Sequence, residues 1–188
     1  MANIPQSNVN AGSYNTFPQF ADFSYNCISY LMENNEVIWK LLKYNTNDAW
    51  KSTYADLTQA EKAALIYDGS EDTSKFRVFL DGGQPDAVTG EIALLKIYPV
   101  GAKGNNHVWG SVTMCLDSFA HSKVNTMSNY RTRTAWMTQQ LIETFNGVSI
   151  GGLGKLMLDS TWDTTSKLNE FGVTPFKGYQ LILSTAVG

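Results

Sequence analysis

The stretch that most constrains this chain lies at residues 130–158, where a helical apolar pattern runs into NGVSIGGLG and then KLML. Tyr130, Thr134, Met137, Leu141 and Phe145 recur every three or four residues, which predicts a long helix with one core-facing stripe. Asn146 and Gly147 predict its end, because the residue beyond the last turn commonly needs a positive φ. A strand is predicted at 155–160. Glycines this dense invite a phosphate-binding reading, but a dinucleotide site needs strand, glycine-rich turn and helix in that order, with the anion on the helix N-terminus. Here the glycines follow a helix, so they meet its carbonyl end, where the partial charge repels an anion. Gly154-Lys155 does not end a phosphate loop either: the residue five before Gly154 is Ser149, and Leu156 follows the lysine. The run is a backbone device that turns a helix sharply into a strand.

Upstream, Phe20, Phe23, Cys27, Tyr30 and Leu31 fall at helical spacing. Val37, Ile38, Leu41 and Leu42 resume it, predicting two helices or one bent helix with Asn34 or Asn35 as a cap. Thr58 and Glu61 form a capping-box pattern that opens a third helix through Ile66, ended by Asp68-Gly69. The period then changes to two. Phe76, Val78 and Leu80 alternate as a half-buried strand, and strands at 92–100 and 107–117 flank the turn AKGNN as a hairpin. In the second of these, Val108, Val112, Met114 and Leu116 face one way, with Gly110 on the same face. A polar loop and a final strand at 176–186 complete the order. The prediction is an α+β fold: N-terminal helices, then a mostly antiparallel sheet of about five strands with one long helix packed across a face.

A length of 188 residues suits one domain. Residues 1–17, rich in Asn, Ser and Gly, read as an N-terminal arm. Residues 18–188 read as a single domain, helical over 18–69 and sheet-plus-helix over 75–188. Charged residues make up 16% against about 25% on average, which leaves either a neutral polar surface or one covered by neighbouring subunits. The net charge of −3, with 14 scattered basic residues, gives no footprint for holding nucleic acid. Cys27 and Cys115 sit in apolar patterns and read as reduced core thiols. Neither a secretory signal nor a spanning segment is visible, so the expectation is a soluble protein made in a cytoplasm.

Catalytic and metal chemistry are not expected. The two histidines, His107 and His121, read as surface residues without ligands at zinc spacing. Asp68, Glu71 and Asp72 crowd one loop without the order of a calcium site. No G-x-S-x-G elbow occurs. One misfit remains: Arg131 and Arg133 fall in the predicted first turns of the long helix, where the dipole favours acids. They are either solvated or candidates for ion pairs with an adjoining chain, since the guanidinium fork suits interface carboxylates.

The run NYRTRTAWMTQQLIETFNGVSIGGLGKLMLD (residues 129–159), with FKGYQLILSTAVG (residues 176–188), resembles neck and tail-completion proteins of tailed bacteriophages, the tail terminators and head–tail connectors. LMENNEVIWKLLKYNTNDAW and LTQAEKAALIYDG resemble the helical front part of the same group. The resemblance implies a virion structural protein assembled in a bacterial cytoplasm. It further implies a homo-oligomeric ring, six- or twelvefold, that meets other neck, portal-adaptor or tail-tube proteins. The ring would surround a channel for DNA passage, with no catalytic residue, cofactor or membrane. Its functional surface would be the subunit interface. Arg131 and Arg133 are candidates there, as are Phe176 and Tyr179 of the Phe-x-Gly-Tyr strand; that last strand, apolar and at the chain end, is expected to add to a neighbour's sheet by edge pairing. The loop at 81–90 is long enough to reach a neighbour too. The competing reading is a small non-catalytic module that binds a glycan or peptide, with Trp109 or Trp162 as a stacking platform.

Overall fold

The computed structural model describes residues 22–82, 90–104, 110–151, 154–158 and 168–187. The arm at 1–17, Phe20, most of the loop at 81–90, His107, Val108, Trp109 and Trp162 lie outside the described residues. Helix α1 (Phe23–Asn34) buries Phe23, Cys27, Ile28 and Leu31. Helix α2 (Glu36–Lys43) begins at Asn35, whose extended backbone breaks the run and whose side chain accepts the Ile38 amide at 3.0 Å. Of the two predicted cap positions, Asn35 is the one used. Its amide also donates to Thr144 Oγ1 at 2.8 Å, tying the start of α2 to the long helix.

The capping box at Thr58 and Glu61 is formed in full and opens α3 (Gln59–Ala63). This helix is shorter than predicted, because the next residues are claimed by the sheet edge. Tyr67 N–H donates to the Val78 carbonyl at 2.8 Å, and Val78 N–H donates to Leu65 at 3.0 Å.

The sheet has the order β1-β2-β3-β5-β4, with β1 (Val78–Phe79), β2 (Ala93–Gly104), β3 (Gly110–His121), β4 (Leu168–Val173) and β5 (Phe176–Val187). Only β1 and β2 run parallel; the other pairs are antiparallel. The predicted hairpin is β2–β3, and β3 runs past Asp117 to His121 before a short helix α4 (Ser122–Asn125). The register shifts between Pro99 and Gly101, leaving Val100 as the extra residue of a bulge, half exposed. β1 is shorter than the predicted strand and buries successive residues: Val78 enters the main core and Phe79 a smaller cluster with Phe76, Ile92, Leu94 and Phe119.

Two expectations about strands are corrected. Residues 155–158 do not form a strand but make isolated bridges, Ser149 with Lys155 and Met157 with Ser184. The fifth strand is β4, in the stretch read as a polar loop. β5 is therefore not an edge over residues 176–181, where β3 pairs on one side and β4 on the other; beyond Leu181 that second side carries only the Met157–Ser184 bridge among the described residues.

Helix α5 (Arg133–Phe145) lies on β3 and β5 and is capped by Thr132, which accepts the Ala135 amide. Met137, Leu141 and Phe145 are fully buried with Leu116, Leu181 and Leu183, each burial worth roughly 1.5–3 kcal/mol. Thr134 is buried on the same stripe, but Tyr130 precedes the helix and is 99% exposed. Gly147 ends the helix with φ +83°, and its N–H donates to Leu156 at 2.6 Å, so the glycine-rich run folds back beside the helix exit. No helix among the described residues is long and apolar enough to cross a membrane.

Candidate functional site

Arg133 is the first residue of α5 and is fully buried. Its Nε donates to Val124 O at 2.9 Å, Nη1 to Leu41 O and to Tyr44 O at 2.7 Å, and Nη2 to Thr46 O at 2.6 Å. No carboxylate pairs with it among the described residues. Its counter-charge is the carbonyl end of α2, where unpaired C=O groups gather partial negative charge. Burial pulls its pKa down to about 10, which still leaves it charged at neutral pH. The expectation that Arg133 reaches a neighbouring subunit is corrected: the side chain is fully buried, and four of its five N–H groups bond carbonyls of its own chain.

Arg131 behaves differently. It stands ahead of α5 on the exposed loop 126–132, its guanidinium 5.4 Å from the Trp136 ring, and Trp136 lies 5.6 Å from Trp50. The loop is held by its own backbone. Thr126 bridges Thr132, Met127 N–H donates to Arg131 O at 2.9 Å, and Tyr130 N–H donates to Met127 O at 3.1 Å. Ser128 N–H anchors it to Asn47 O at 2.7 Å. At its tip Tyr130 takes φ +64°, the only positive φ of a non-glycine among the described residues. A left-handed conformation costs a tyrosine about 1–2 kcal/mol. The loop thus spends energy to hold a bare aromatic ring in water.

Phe176 and Tyr179 lie on β5. Phe176 packs partly on the smaller cluster, with its ring edge-on to His121 at 5.6 Å. Tyr179 pairs with Ser118 of β3 and Glu170 of β4. Both therefore sit inside the sheet rather than along a free edge. His121, expected at the surface, is buried, and its Nδ1 accepts the Lys123 amide to cap α4. Cys27 and Cys115 are free and buried, as predicted, and desolvation pushes the Cys27 thiol up to about 12.

A polar row crosses the sheet on the face away from the helices. Lys96 pairs in register with Asp117, and Asp117 with Gln180. Tyr98 donates to Asp117 Oδ2 at 2.8 Å, and the Gln180 side chain also hydrogen-bonds the carboxylate. Oδ1 is buried with no hydrogen-bond partner among the described residues. Desolvation lifts the Asp117 pKa, lowers that of Lys96 and, with the bond to Asp117, raises that of Tyr98. Sequence reading missed this row, since only the register of three strands aligns its members. No group of three or more His, Cys, Asp or Glu suited to a metal occurs among the described residues.

The acidic turn flagged in the sequence is exposed at Asp68, Glu71 and Asp72. Hydrogen bonds from Ser70 and Ser74 hold the Asp68 and Asp72 carboxyls below their ordinary value. None of the three carboxylates forms an ion pair among the described residues.

Residues 35–185 match the family model described as YomW, from the Asn35 cap of α2 to near the end of β5. No curated protein matches the chain.

Proposed function

This chain belongs to the phage-derived YomW family, and we propose that it is a virion structural protein of a tailed bacteriophage that assembles as a ring at the neck or head–tail junction. The observation that carries this reading is the Tyr130 loop, a rigid, strained turn that presents a fully exposed aromatic next to a guanidinium stacked on tryptophan. Strain of this kind is kept where the surrounding structure uses it. Tyr, Trp and Arg are the residue types that dominate binding energy at protein interfaces. A contact surface fits a building block better than it fits a catalyst, so the role is non-catalytic, with the subunit interface as the working part. Neighbours in the virion would be neck, portal-adaptor or tail-tube proteins, and DNA would pass the ring without being held. The net charge of −3 supports that, because phosphates find little to bind.

Native mass spectrometry of the purified chain tests the proposal, with six or twelve copies expected. Immunogold labelling of intact phage particles should then place the protein between head and tail. A protein that stays monomeric at high micromolar concentration and is absent from particles would sink the reading.

A further inference from the structure

We propose that the Tyr130 loop is the docking face for a second copy of this chain, and that the segment it receives is the acidic turn carrying Asp68, Glu71 and Asp72. This rests on the assembly reading above and names the two surfaces that meet. Arg131 is exposed and has no carboxylate partner among the described residues, while its guanidinium is already oriented by the Trp136 ring. A cation fixed this way loses little freedom on pairing, and its fork matches a carboxylate. The turn at 68–72 is the densest run of unpaired carboxylates among the described residues. Hydrogen bonds from Ser70 and Ser74 hold Asp68 and Asp72 low, the charge of Lys75 adds to this, and Lys75 forms no ion pair with either, its Nζ lying 4.7 Å from the Phe76 ring centroid. Each surface therefore holds unspent charge of the sign the other lacks.

The two surfaces belong to different parts of the fold. The loop joins α4 to α5, whereas the acidic turn leads into β1, an outer strand of the sheet. A contact between unlike patches is heterologous, and head-to-tail repetition of such a contact closes into a ring when the rotation allows. Tyr130 would supply the central aromatic, with the Arg131–carboxylate pairs beside it.

The test is a charge swap on the full-length chain, read by native mass spectrometry, with far-UV circular dichroism on every variant. Arg131→Glu alone, and Asp68→Lys/Glu71→Lys/Asp72→Lys alone, should each weaken assembly at least about tenfold. An equimolar mixture of the two variants should assemble again, because each supplies the surface reversed in the other. Tyr130→Gly should raise the melting temperature of the free chain by removing strain while weakening assembly, opposite signs that a merely structural residue would not give. If the wild type assembles and Arg131→Glu or Tyr130→Gly leaves the ring intact, the docking face is wrong and the assembly reading survives. If the variants dissociate but the mixture does not recover, the acidic turn is not the occupant. A wild type that never assembles removes both readings.

Discussion

Arg133 donates from Nη1 to the carbonyl of Tyr44 at 2.7 Å, the residue that caps the C-terminus of α2. One guanidinium thereby closes the carbonyl end of one helix while standing at the amide end of another. The second position is unfavourable for a cation, and the first offsets it. Replacing Arg133 with Met keeps the bulk but leaves four backbone carbonyls without their donor. The expected loss is about 3–5 kcal/mol, read as a lower urea midpoint by circular dichroism. Arg133→Lys should recover only part of this, since a single ammonium cannot span all four carbonyls.

Glu61 gives a pH dependence of definite sign. The hydrogen bond from Lys43, with those from Thr58, pulls its pKa from 4.5 to about 2. A carboxyl held low in the folded state adds stability above 4.5 that is lost as the pH falls toward 2. Thermal melts of wild type and Glu61→Gln should differ at pH 6 and converge across that window. Equal differences at pH 6 and pH 2 would show that the carboxylate is not responsible.

Asp117 carries the opposite sign. Burial lifts its pKa above 3.8, so folding disfavours the ionised form, and the penalty is full at high pH and fades as the pH falls toward 3.8. Asp117→Asn should therefore melt a few degrees higher than wild type at pH 8, what about 1 kcal/mol amounts to in a chain this size. The gap should close on acidification. A variant that melts lower at pH 8 would mean that the bonds from Tyr98 and Gln180 outweigh desolvation.

Gly178, in the Phe-x-Gly-Tyr run, pairs in register with Phe119 of β3. A Cβ there would lie 2.0 Å from the Ser118 carbonyl oxygen, which no rotamer relieves because the clash is with backbone. Gly178→Ala should unfold the chain or lower its melting temperature by many degrees. Gly101→Ala, at the open end of β2 with nothing within 4 Å, should change it little. Differential scanning calorimetry of the pair separates close approach from the general cost of altering a strand glycine.

The features legible in the sequence are those whose hydrogen bonds close over a few residues. Asn35 with Ile38, Thr58 with Glu61, and Gly147 behind Phe145 are local devices at fixed offsets, so residue type and spacing reveal them. The α+β class and the β2–β3 hairpin follow from changes of period. β4 was missed because LNEFGV has no clean alternation and owes its strand character to β5. The segment at 155–158 has an apolar look but only bridges to its neighbours. Arg133 left a trace, as a cation at the wrong end of a helix, and that misfit signalled burial rather than a neighbouring subunit. Tyr130 left none, since it continues the apolar stripe of α5 and only its left-handed backbone turns it outward.

The place of β5 between β3 and β4 also sets an order of events. β2 and β3 are only five residues apart in the chain and can pair early, whereas β3 meets β5 only after α4, α5 and β4 have all been passed in the chain. Closing that long loop is the costly entropic step, and long-range pairings of this kind slow folding. Until it happens, α5 lacks half of the surface it covers, and β4 and β5, only two residues apart in the chain, can form a hairpin with no sheet to join. In a refolding experiment, hairpin signals should rise first, and the rest should follow together in one slower phase.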